Sequence, residues 1–100
     1  MSVKEAVKEN TKTRMEEPKL YNVIMYNDDF TTMEFVVEIL TTIFRKSQQE
    51  ATRLMLEVHH GGKSVVGTYP RDIANSKAQL AMMRAKKEGF PFRVTVEQER

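Results

Sequence analysis

One hundred residues with 40% hydrophobic and 30% charged side chains describe at most one small globular domain with a modest core. No cysteine is present, which removes disulfide frameworks and thiol chemistry, and no apolar run approaches the ~20 residues of a membrane span. A formal net charge of only +2 makes a weak electrostatic case for a nucleic-acid partner.

Residues 1–18 mix four Lys or Arg with four Asp or Glu, carry almost no apolar periodicity and close on Pro18. Such a segment reads as a disordered extension, so residues 1–19 are expected to stand apart from a core domain over 20–100. Nothing in it resembles the apolar core of a secretory signal, and a cytoplasmic location is expected.

Order begins with "LYNVIMYN", an apolar β-favouring run that stops at Asn27-Asp28-Asp29 and predicts a strand over 20–27. Thr31 and Glu34 have the spacing of a capping box, and Met33, Val36, Val37, Leu40 and Phe44 follow as one apolar face of a first helix. The signal repeats with Ser47 and Glu50 ahead of Ala51, Leu54, Met55 and Val58. That second helix ends at His59-His60-Gly61-Gly62, where glycine can take the left-handed conformation. "KSVVGTY" predicts a second strand. A third helix is expected from Pro70 to Glu88, with Asp72 in its first turn, Lys86 and Lys87 in its last, and a stripe of Ala74, Ala78, Ala81 and Ala85. Gly89 and Pro91 end it, and "FRVTVE" alternates as a final strand. The order β-α-α-β-α-β predicts an α+β fold, a small three-stranded sheet packed against three helices.

The chemistry-bearing residues cluster at two places. Asn27, Asp28 and Asp29 sit between strand and helix, where short polar side chains also serve simple turns. His59 follows the second apolar stripe by one residue, at the rim of that face. Adjacent His59 and His60 point in different directions and make no metal pair, and no cysteine or third histidine supports one. No nucleophile elbow, zinc-protease or phosphate-loop motif occurs, so neither an enzyme nor a cofactor is expected. Two rival classes remain. One is a nucleic-acid module built on the basic tract from Arg84 to Arg93 with Phe90 and Phe92; the other is a metal-dependent hydrolase using Asp28, Asp29 and His59. A carboxylate, an amide and an imidazole at the mouths of two methionine-bearing apolar stripes instead suit a ligand with a cationic head and a hydrophobic side arm, such as a free peptide N-terminus.

Across residues 20–97 the stretches "YNVIMYNDDFTTMEFVVEIL", "EATRLMLEVHHGGKSVVGTY" and "DIANSKAQLAMMRAKKEGFPF" closely resemble the ClpS family of Clp protease adaptors. The resemblance implies a small antiparallel sheet on three helices and a non-enzymatic adaptor. It further implies capture of proteins whose first residue is Leu, Phe, Tyr or Trp and their delivery to a AAA+ unfoldase, ClpA or ClpC, in the bacterial cytosol. By the same resemblance Asn27, Asp28 and His59 hold the α-ammonium and first peptide unit. Thr31, Met33, Val36, Met55 and Val58 wall the side-chain pocket with Asp29 at its border, and Met33 excludes β-branched residues. Asp72 and Lys77 fall where the family contacts the unfoldase, and the extension before Leu20 is the part engaged during delivery. Where the family usually carries Pro, this chain has Thr32. Where it commonly has a capping Thr, this chain has Pro70.

Overall fold

A computed structural model describes residues 18–100; most of the predicted N-terminal extension lies outside the described residues. The element order is β1 (Leu20–Tyr26), α1 (Met33–Thr42), α2 (Gln48–Gly61), β2 (Lys63–Pro70), α3 (Arg71–Glu88) and β3 (Val94–Gln98). The three strands form one antiparallel sheet in the order β2-β1-β3. The predicted class and order therefore hold.

α3 lies across all three strands. Its alanine stripe makes that approach possible: Ala74, Ala78, Ala81 and Ala85 are all at most 3% exposed. Val23 and Met25 of β1 face this layer and are fully buried. The opposite face of the sheet is open and closes its polar groups on itself. There the Thr68 hydroxyl donates to Asn22 Oδ1 (2.7 Å), and the Tyr26 hydroxyl meets Thr95 Oγ1 (3.0 Å).

α1 and α2 pack as a pair beside the sheet. The apolar face of α1 differs from the expected one. Phe35, Val36, Ile39 and Leu40 are buried, continued by Ile43 and Phe44, whereas Met33 is 42% exposed and Val37 only half-buried. Pairs at i and i+1 repeated every four residues make a broad stripe toward the core, and aromatic contacts fix its azimuth. The Phe35 ring meets Phe90 edge-on at 5.1 Å and Phe92 at 6.0 Å. Met33 and Val37 then turn sideways toward the cleft with α2.

The caps also differ from the expected boxes. Thr32, not Thr31, is the N-cap of α1, its hydroxyl accepting from the Phe35 amide at 3.1 Å. Thr32 therefore caps through its side chain, one position ahead of the first helical residue, where proline's ring would favour the helix. Ser47 accepts from the Glu50 amide as expected, but the Glu50 carboxylate turns away to Arg53. The end of α1 has no glycine. Arg45 itself takes the left-handed conformation (φ 57°), and the Lys46 amide closes back on the Leu40 carbonyl at 3.0 Å. Lys77 of α3 donates to the Ile43 carbonyl (2.7 Å), satisfying a carbonyl that the helix leaves open.

Candidate functional site

The end of β1 is held on both sides. The Tyr26 amide donates to the Arg93 carbonyl (3.1 Å), and the Asn27 amide donates to the Gly62 carbonyl (2.8 Å). Gly62 is the left-handed C-cap of α2 (φ 87°), and its own amide returns to the Val58 carbonyl. That junction draws the Asn27–Asp29 turn up against the last turn of α2, which carries His59.

Asp28 organises the turn. Its Oδ1 accepts from the amides of Phe30 (2.8 Å) and Thr31 (2.7 Å), and its Oδ2 accepts from the Thr31 hydroxyl (2.6 Å). Burial pushes the carboxyl pKa up, but the Thr31 hydroxyl and the two amides outweigh it and hold the pKa below the ordinary carboxylate value. Asp28 is thus an anchored anion. A carboxylate offers about four acceptor positions, and the turn uses three, leaving one on Oδ2. The turn role leaves room for the expected ligand role in the same residue, and Thr31 serves the carboxylate that the expected capping box would have left alone.

Between α1 and α2 the structure opens a cavity of about 240 Å³. Asn27, Asp28, Asp29 and His59 give it a polar end, and Thr31, Met33, Val36, Met55 and Val58 supply its walls. All nine residues singled out in the sequence for peptide and pocket contacts line this one cavity. Met33 and Met55 also border a second hollow of about 540 Å³ between the same helices, which Val37, Thr41 and Gln48 help to line. Those three carried no signal as site residues: Val37 read as core, and Thr41 and Gln48 are ordinary polar helix positions.

Asp72 and Lys77 lie elsewhere, on the N-terminal half of α3. Asp72 is exposed. Lys77 is half-buried, its ammonium spent on Ile43 and lying 5.3 Å from the Tyr69 ring and 5.8 Å from the Phe44 ring. The aromatics of the rival basic tract are unavailable for base stacking, since Phe92 is buried and Phe90 packs half-buried on Phe35. Asp28, Asp29 and His59 line one cavity, but among the described residues no three His, Cys, Asp or Glu converge as a metal site. Among those residues, too, no helix is long and apolar enough to cross a membrane.

The fold and the site together define a two-layer α+β domain with an anionic notch at the rim of a methionine-bearing cleft between two helices. The family model described as "ATP-dependent Clp protease adaptor protein ClpS" matches residues 16–95, and the chain belongs to that family. An ATP-dependent Clp protease adapter protein ClpS from Acetivibrio thermocellus is 50% identical over 99 residues, covering 99% of this chain and all of the relative. One from Neisseria gonorrhoeae is 58% identical over 81 residues, covering 81% of this chain and 78% of the relative. Among solved structures, Agrobacterium tumefaciens ClpS2 bound to L-phenylalaninamide superposes with a TM-score of 0.80 at 43% identity, covering 83% of this chain and all of that one.

Proposed function

We propose that this adaptor captures proteins by a free N-terminus that begins with Leu, Phe, Tyr or Trp, and passes them to the ClpA or ClpC unfoldase without chemistry of its own. The observation that carries the reading is the cavity between α1 and α2, which joins an anchored carboxylate to an apolar hollow of side-chain size. The L-phenylalaninamide bound to the related ClpS2 supports it, being a free α-amine, an aromatic side chain and a carboxamide in place of the first peptide unit.

The roles follow from the physics of the ligand. An α-ammonium leaving water must be paired and hydrogen-bonded, or the site rejects it. Asp28 supplies the charge, Asn27 an acceptor and a donor suited to an amine beside a carbonyl, and His59 an acceptor in its neutral form. Thr31 holds the carboxylate in place. Val36, Met55 and Val58 take the side chain, whose burial contributes roughly 1.5–3 kcal/mol, with Asp29 at the border and Met33 as the gate against β-branched residues. An internal Leu lacks the ammonium, and a polar first residue leaves the walls unfilled, so neither half suffices alone.

Delivery would use surfaces away from the cleft. Asp72 is the accessible unfoldase contact on α3, and Lys77 follows on the same half of the helix. The extension over residues 1–19 is the segment the unfoldase engages, in the bacterial cytosol. A peptide array varying only the first residue, with free and acetylated amines side by side, tests the capture step. Signal confined to free Leu, Phe, Tyr and Trp is expected, and equal signal from acetylated peptides would remove the proposal.

A further inference from the structure

Met33 and Met55 are shared by two spaces. Both line the 240 Å³ cleft and also a solvent-open hollow of about 540 Å³, which Glu34, Val37, Glu38, Thr41 and Gln48 border. A binding cleft cut into a close-packed interior cannot enlarge, because its walls have nowhere to go. A wall with open volume behind it can yield, and methionine suits such a wall, being unbranched, with three rotatable bonds and a polarizable sulfur. The two methionines are not equivalent. Met55 is 9% exposed and held in the core, whereas Met33 is 42% exposed at the first position of α1.

We propose that the hollow is the space into which Met33 withdraws when the first side chain is large, so that Val37 and Thr41 set the upper size limit of the residues accepted. Neither residue lines the cleft itself. They act through Met33: Val37 and Thr41 follow it at four-residue steps on one face of α1, behind the moving side chain. A small branched ligand such as Leu leaves Met33 where it stands. An indole needs the wall to shift, and a bulky side chain standing in the hollow obstructs that shift.

The inference rests on the peptide-capture reading, and the test separates the two. Two dye-labelled peptides with free amines, identical except for Leu or Trp at the first position, are titrated against the full chain and against Val37→Phe and Thr41→Phe. Anisotropy gives the ratio of Trp to Leu affinity, which cancels any general loss of folded protein. In at least one variant that ratio should fall about tenfold, the equivalent of a modest overpacking, while Leu binding stays within about twofold. An unchanged ratio in both variants overturns the proposal, as does wild-type protein that binds the Leu peptide and not the Trp one. Wild-type protein that binds neither peptide overturns the capture reading, and this proposal with it.

Discussion

Replacing Asp28 by Asn separates the turn role that the structure gives this residue from the ligand role proposed for it. The amide oxygen can still accept from the Phe30 and Thr31 amides, and the new NH₂ group can donate to the Thr31 hydroxyl, which reverses one bond but keeps the turn closed. What disappears is the negative charge and the acceptor left on Oδ2. A hydrogen bond to a charged group contributes about 1.5–3 kcal/mol, so affinity for a Phe-first peptide should fall about 10- to 150-fold. Asp28→Ala removes the ligand contact and the three turn bonds together. Neutral bonds in a half-exposed turn contribute about 0.5–1.5 kcal/mol each at most, so Ala should melt several degrees below Asn. Fluorescence anisotropy reads the first difference and thermal circular dichroism the second. Peptide affinity of the Asn variant within twofold of wild type would refute the charge argument. An Asn variant melting as low as the Ala variant would refute the assignment of the turn to acceptor geometry.

Met33→Ala should admit Ile and Val as first residues, read on the same anisotropy assay; a site still closed to them would show that another residue excludes them. Arg45 stands in the left-handed region without glycine's freedom, so Arg45→Gly should stabilise the fold by about 0.5–1 kcal/mol, measured by urea unfolding. Acid should act on the Asp28 turn in a defined direction. Because the folded carboxyl titrates below the ordinary carboxylate value, its stabilisation is fully present above that ordinary value and fades as pH falls through the lower folded one. The melting advantage of wild type over Asp28→Asn should therefore shrink between pH 6 and pH 2.5, and an advantage that grows on acidification would contradict the assignment.

The element order was readable because each helix announces itself by a stripe and a terminator, and each strand by a short β-branched or alternating run. Periodicity says which residues share a face; it does not say which face meets the core. That is why the α1 stripe was expected to run through Met33 and Val37, when Phe35 and its contacts with Phe90 and Phe92 turn the helix away from them. Capping by spacing fails for a related reason: Thr31 and Thr32 are both plausible caps, and only the competing claim of Asp28 on the Thr31 hydroxyl decides between them. The end of α1 left no mark, since a left-handed Arg45 and a capping Lys77 from another helix resemble ordinary surface residues. Asn27, Asp28 and His59 were legible as chemically unusual at apolar edges, and the resemblance supplied the walls. The second hollow was invisible, because it is an absence of packing between helices rather than a property of any residue.

The central claim concerns one charge and one side chain acting together. Its most direct test is a titration of isotope-labelled protein with L-phenylalaninamide and with its N-acetyl derivative, followed by amide chemical shifts. The free amine should saturate, moving resonances in residues 27–33 and 55–59, and the acetylated compound should leave them in place at the same concentration. Matching shifts from both compounds, or shifts confined to α3 or the open sheet face, would contradict it.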